Sequence, residues 1–188
     1  MEILRATTAD LDEVLALHER YNISSIRPED KPDGFTTAKF TAEQLRALAE
    51  QENGITIAKD GDHVISYAMV ASWQFWSSWP IFAYMIEKLP ENSLNGQVLS
   101  VNNSYQYGPI CVDKPYRNSG VFEKVFYASL DSMTSRYPIM VTFINQINHR
   151  SYAAHTKKVA VDTIGTFQFN QNNYYILACK TKPLRNAR

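Results

Sequence analysis

The sequence predicts one domain of the mixed α/β class, a central mixed β-sheet with helices covering both faces, and three observations carry that expectation. Strand-like and helix-like segments interleave in the order β-α-α-β-β-β-α-β-α-β-β, which layers helices on a sheet instead of segregating them. An apolar run, Pro109-Ile110-Cys111-Val112, passes through a polar turn into an apolar helix that starts near Gly120. The chain has 188 residues with 45% apolar side chains, enough to bury one core, so a single domain spanning 1–188 is expected.

Each element has its own signal. Glu2 to Ala6 is a short strand, and Thr8 with Asp10 is placed to cap a helix bearing Leu11, Val14, Leu15 and Leu17-His18 at helical spacing. Residues 22–37 hold Pro28, Pro32, Gly34 and several charges, a long loop. Thr41 with Gln44 has the form of a capping box for a second helix running through Glu50. Ile55–Lys59 and His63–Trp73 form a hairpin through Asp60-Gly61. An aromatic insertion (Trp73, Phe75, Trp76, Trp79, Phe82, Tyr84) follows, then a loop at 91–96 and a long strand from Gln97 to Val112. The helix from Gly120 to Tyr137 carries Val121, Phe122, Val125, Phe126, Leu130 and Met133 on one broad stripe. Ile139–Ile144 is a buried strand, a helix opens at Asn148, and Val161–Phe169 with Tyr174–Lys180 close the chain as a hairpin.

Composition excludes several classes. Lys+Arg and Asp+Glu both number 19, so no bulk positive field exists to hold nucleic acid or an anionic membrane, and any polyanion must be held locally. The stretch Val64–Ile86 has no formal charge, yet six Ser, Gln and Pro residues interrupt it, and a spanning helix is not expected. Cys111 and Cys179 lack CxxC spacing and lie in apolar runs, and the N-terminus has no cationic and hydrophobic leader. A reducing cytoplasm without disulfides is therefore expected.

The chemistry concentrates in V-D-K-P-Y-R-N-S-G-V-F, residues 112–122. Backbone N–H groups from Asn118, Ser119, Gly120, Val121 and Phe122 would converge at a helix N-terminus, where unpaired amides and the macrodipole favour an anion. Gly120, without a Cβ, lets phosphate oxygens approach the main chain. Neither the P-loop pattern nor G-x-G-x-x-G is met, since the turn has one glycine.

The segment resembles the acetyl-CoA pyrophosphate loop of the GNAT superfamily of N-acetyltransferases, V-x-P-x-Y-R-G-x-G-x-G/A before an apolar helix. Val112, Tyr116, Arg117, Gly120 and Val121 keep that spacing, whereas the proline is displaced to Pro115, Asn118 replaces a glycine and Phe122 replaces a small residue. Downstream, Asn148, Ser151 and His155 reproduce N-x-x-[AS]-x-x-x-[YH], the opening of the family's fourth helix, although its K-x-G-F ending is Lys157-Lys158-Val159-Ala160 here. The resemblance covers about Tyr105 to Thr181 well and the N-terminal half loosely.

That resemblance implies direct transfer of the acetyl group from acetyl-CoA to a primary amine of an unknown small molecule or peptide, with positioning as the main source of rate. The backbone of Ile110, Cys111 and Val112 would pair with the pantetheine arm and polarise the thioester carbonyl, or the three are plain core strand. His155, as imidazolium, would protonate the departing thiolate, against a structural role in packing. Asn148 would bond the pantetheine amides or only cap its helix; Ser151 would reach a phosphate or only solvate the first turn. Arg117 would add charge at the pyrophosphate. A Cys111–His155 nucleophile pair is not expected, because Cys111 lies in a buried strand. No metal is expected either: His149 and His155 stand six residues apart, off one helical face.

Glu19, Glu87 and Tyr107 are candidates for a general base, and no spacing selects one. The aromatic insertion suits an acceptor wall favouring an apolar or aromatic amine, or a hydrophobic lid or homodimer interface. Two other readings stay open: a non-catalytic acyl-CoA sensor, and an interaction protein built on that insertion.

Overall fold

The computed structural model describes residues 1–182. Seven strands form one sheet: β1 (Glu2–Arg5), β2 (Ile55–Asp60), β3 (His63–Ala71), β4 (Ser104–Val112), β5 (Ile139–Asn145), β6 (Asp162–Phe169) and β7 (Asn172–Lys180), in the order β1-β2-β3-β4-β5-β7-β6. Every neighbouring pair is antiparallel except β4 and β5, which run parallel. The mixed sheet expected from sequence is therefore present.

Alternation along the strands divides the core in two. Ile57, Tyr67, Met69, Val141 and Ile176 face one side, where α1 (Leu11–Arg20) and α2 (Ala42–Ala47) bring Leu11, Val14, Leu17 and Leu45. Ala58, Ala68, Val70, Met140 and Leu177 face the other, covered by Val121, Val125, Phe126, Leu130 and Met133 of α5 (Val121–Met133). The Thr41–Gln44 box caps α2 as expected, with Gln44 N donating to Thr41 Oγ1 and Thr41 N to Gln44 Oε1. At α1 the box lies one residue earlier than expected, between Thr7 and Asp10. The β2–β3 turn is likewise Gly61-Asp62, Gly61 taking φ +59°.

Three expectations are corrected. The strand expected from Gln97 is broken: Gln97–Val98 pairs with Ser93–Leu94, Ser100 and Asn103 form a turn, and β4 begins at Ser104. The helix expected to reach Tyr137 ends at Met133. The aromatic insertion folds as α3 (Trp73–Trp76) and α4 (Pro80–Lys88), with Trp73 and Trp76 wholly buried. Trp73 Nε1 donates to Ser104 Oγ at 3.0 Å, and Trp76 packs on Phe82 with ring centroids 4.9 Å apart. The insertion is core, and its two innermost tryptophans offer nothing to a partner surface.

One irregularity positions the site. β4 pairs with β5 only at Ser104–Gln106 opposite Ile139–Val141, then departs from it. The register against β3 jumps from Val70–Tyr107 to Ala68–Ile110, leaving two residues, Gly108 and Pro109, opposite one. Pro109 has no N–H for the ladder, and Gly108 takes φ +106°, which a side chain would disfavour. The sheet thus opens between Tyr107–Val112 and the second half of β5.

Candidate active site

Two adjoining hollows of about 110 and 100 Å³ fill this opening, sharing Phe35, Thr36, Ile110 and Ser151 as common walls. The first lies against the start of α5, lined by Ile110, Cys111, Val112, Arg117, Asn118 and Phe122. The second runs between the separated strands, past Gln106, Tyr107, Phe143, Asn148 and His155.

The turn into α5 passes through two residues of positive φ. Gly120 caps the helix at φ +82° and Asn118 sits at φ +63°, the left-handed conformation that Asn tolerates better than most residues. Backbone N–H groups of Asn118, Ser119, Gly120, Val121 and Phe122 donate to no acceptor among the described residues. A Cβ built on Gly120 meets nothing within 4 Å, so the space above it is open. Val121 contributes only its main chain, its side chain being core. Phe122, the departure from the family loop, turns onto Phe126 and stands edge-on to His155 at 5.2 Å.

The 22–40 segment lies across the first hollow and engages several residues expected to hold a ligand. Arg117 donates through Nε to the Val112 carbonyl and through Nη1 to the Asp33 carbonyl, with its guanidinium 4.8 Å from the centre of the Tyr21 ring. Lys114 pairs with Asp33 at 2.7 Å, a half-exposed ion pair of small energetic weight. Asn148 caps α6 (His149–Ala153) by accepting from Ser151 N, while its Nδ2 donates to the Phe35 carbonyl at 2.8 Å. In this state Arg117 and Asn148 are structural clips.

His155 differs from the sequence expectation in its charge. Its Nδ1 donates to the Ser151 carbonyl at 2.7 Å, and Tyr107, Phe122 and Phe126 surround the ring. Burial drives its pKa down from an ordinary 6.5 to about 4, so the ring is neutral at pH 7 and Nε2 carries a lone pair with no partner among the described residues. A standing imidazolium is not supported here. Cys111 is buried with its thiol pushed up to about 12, which removes it as a nucleophile. Glu19 and Glu87 lie exposed outside both hollows, leaving Tyr107 as the one of these three within the site, with burial holding its hydroxyl protonated; Glu123, not singled out from sequence, lines the first hollow with Oε2 buried and without a partner among the described residues.

The buried histidines make stability pH-dependent. The His155 pKa is depressed on folding, so its contribution is complete above pH 6.5 and is lost as pH falls towards about 4. His18, desolvated between Tyr67 and the Ala38 carbonyl, shifts in the same direction. Unfolding by urea at pH 7 and 4.5 should show a loss from His155 of up to roughly 3 kcal/mol. His155→Gln should flatten the profile in that window; an unchanged slope would assign the loss elsewhere.

Gln106, Thr36, Phe35 and Gly108-Pro109 were not singled out from sequence. The Gly-Pro pair inside a strand pattern is a bulge signal that would have located the opening, whereas nothing local marks Phe35 and Thr36, which arrive by tertiary contact.

Fold comparison agrees with this geometry. Neither a protein-family model nor a curated protein sequence matches the chain. An N-acetyltransferase from Staphylococcus aureus Mu50 superposes with a TM-score of 0.63 at 17% identity, covering 96% of this chain and 98% of its own. A GNAT-family acetyltransferase from Streptococcus pneumoniae superposes at 0.62 and 13% identity over 95% and 98%. The yncA structure from Salmonella typhimurium, solved with its cofactor acetyl-CoA, superposes at 0.63 and 13% identity over 97% and 95%. The chain has the fold of the GNAT N-acetyltransferases. Among the described residues no helix is long and apolar enough to cross a membrane, and no group of three or more His, Cys, Asp or Glu could hold a metal ion.

Proposed function

We propose that the chain is an acetyl-CoA-dependent N-acetyltransferase acting on a primary amine. The observation that carries this reading is the run of unpartnered amides, Asn118 to Phe122, beside a strand whose free edge faces an open groove. Those amides suit the pyrophosphate, and the main chain of Ile110, Cys111 and Val112 suits the pantetheine arm as an added strand. Asn148 and Arg117 reach the same groove once the 22–40 segment yields its contacts, and Ser151 lines both hollows. Acetyl-CoA, when bound, supplies an activated acyl group on a good leaving thiolate.

The residues of the chain then act mainly by placement, which can contribute roughly 7–11 kcal/mol to lowering a bimolecular barrier. A backbone N–H near the β4 bulge suits the developing oxyanion. His155, neutral with Nδ1 engaged, presents a lone pair and so orients a donor instead of delivering a proton. The absence of a carboxylate from the second hollow favours a second reading, acyl-CoA binding without turnover.

The test is acetyl-CoA-dependent release of free thiol across a set of primary amines, alongside calorimetric titration with CoA. Saturable CoA binding with amine-dependent thiol release is expected. Binding without release on any amine would leave the sensor reading, and no binding at millimolar CoA would overturn both.

A further inference from the structure

Seven buried side-chain polar atoms lack a hydrogen-bond partner among the described residues, and four of them, Thr36 Oγ1, Gln106 Oε1, Tyr107 OH and His155 Nε2, belong to residues lining the second hollow. All four side chains are more than nine-tenths buried, the least being Thr36 at 6% exposure. An orphaned polar atom costs stability comparable to a lost hydrogen bond; Tyr107 turns to the α5 side of the sheet with Val70 opposite it, and the other three, on residues of one hollow, point to a ligand.

The chemistry of these atoms is constrained. Gln106 Nε2 donates to the Tyr107 carbonyl at 2.6 Å, which turns Oε1, an acceptor only, to the free side. His155 Nδ1 donates to the Ser151 carbonyl, so Nε2 is also an acceptor only. The Thr36 hydroxyl can accept or donate. The complement is a group rich in N–H donors. Around them Phe35, Phe82, Phe143 and Tyr174 supply apolar wall, and among the described residues no Asp, Glu, Lys or Arg lines the space.

We infer that the acceptor is a monoamine with an apolar or aromatic body, the N–H groups of its neutral nitrogen donating to acceptors among Gln106 Oε1, His155 Nε2 and Thr36 Oγ1, and its body against the phenylalanines. A second charge on the acceptor, whether a carboxylate or another ammonium, would be buried without a partner and is rejected. With no carboxylate in the second hollow among the described residues, desolvation of the ammonium favours release of its extra proton to solvent before transfer, leaving the neutral nitrogen as the nucleophile. In the transfer the new C–N bond replaces the C–S bond, and the proton lost by nitrogen is matched by the one gained by the leaving sulfur. Nothing is oxidised or reduced. The inference rests on the acetyltransferase reading for its chemistry and on the orphaned atoms for its specificity.

The test pairs 2-phenylethylamine and hexylamine with charged counterparts, phenylalanine and 1,6-diaminohexane. Thiol release and calorimetric binding in saturating CoA are both measured. The monoamines should exceed the others in kcat/KM by at least about 100-fold. Gln106→Met should raise KM for 2-phenylethylamine on the order of 10-fold with KM for acetyl-CoA unchanged, and Thr36→Val, outside the sheet, should act in the same direction if the buried Gln106 variant fails to fold. Equal or better turnover of phenylalanine or the diamine would overturn the inference while the acetyltransferase reading stood. If no amine is turned over, binding of 2-phenylethylamine but not phenylalanine would uphold the pocket and overturn the enzyme reading; binding of neither monoamine would overturn the pocket as well.

Discussion

Gly120→Val is expected to raise the dissociation constant for CoA by on the order of 100-fold, about 2.8 kcal/mol or the loss of one to two charge-assisted hydrogen bonds. Two independent causes act together. The residue sits at φ +82°, where an L side chain is strained by roughly 1–2 kcal/mol, so the amides at the helix start no longer converge as they do with glycine. The added branch also projects into the empty space above the cap, where the cradle would receive phosphate oxygens. Because that Cβ touches no protein atom within 4 Å, the fold should survive, with a fall in Tm of roughly 2–8 °C. Gly120→Ala shares the strain but blocks less, and should bind with intermediate affinity. Titration of both variants with CoA decides the point: wild-type affinity in the valine variant would mean that the phosphates lie elsewhere.

Trp76→Ala is expected to destabilise the protein by about 3–5 kcal/mol. The side chain is wholly buried, with Phe75, Phe82 and Trp79 at centroid distances of 5.0, 4.9 and 5.3 Å. Its Nε1 has no acceptor among the described residues, so the loss is one of packing and not of a hydrogen bond. Against a total stability of about 5–15 kcal/mol such a loss is large, and the urea midpoint should fall accordingly. A change below about 1 kcal/mol would show that the aromatic cluster is a surface feature after all. Phe82 belongs both to this cluster and to the second hollow, so the variant should also weaken the amine more than it weakens CoA.

How much of this was legible depended on how local each cause is. The Thr41 box and the turn at Gly61 follow from residues within three or four positions of one another, and sequence reasoning reached them with errors of at most one residue. The groove was legible only in part. Val112 and Gly120 announced a strand running through a turn into a helix, but the opening is made by Gly108-Pro109 and completed by Phe35 and Thr36 from more than 70 residues earlier. His155 shows the same limit: its place in a motif was visible, while its charge depends on rings from Tyr107 and Phe122 that only the fold brings to it. The aromatic insertion was legible in part, since Phe82 lines the second hollow while the interface reading fails for the buried Trp73 and Trp76. An uncharged aromatic stretch suits a core, a lid or an interface equally well, and only the strand pairing around Ser104 places it inside.

The ties of the 22–40 segment are long in sequence. Asn148 reaches Phe35 across 113 residues, Arg117 reaches Asp33 across 84, and Tyr21 donates to Asp113 across 92. Closing loops of that length has an entropic cost that must be met before the contacts return anything, so this segment docks after β3, β4 and β5 have formed. Phe40 anchors the far end of the segment in the core, so only the part around Asp33 to Thr36 can lift by breaking these ties and the Lys114–Asp33 pair, a local event below global unfolding. In hydrogen-exchange labelling, the amides of Ile23 and Thr36, which bond to the carbonyls of Thr36 and Tyr21, should therefore exchange together and early, while those of β3 remain protected.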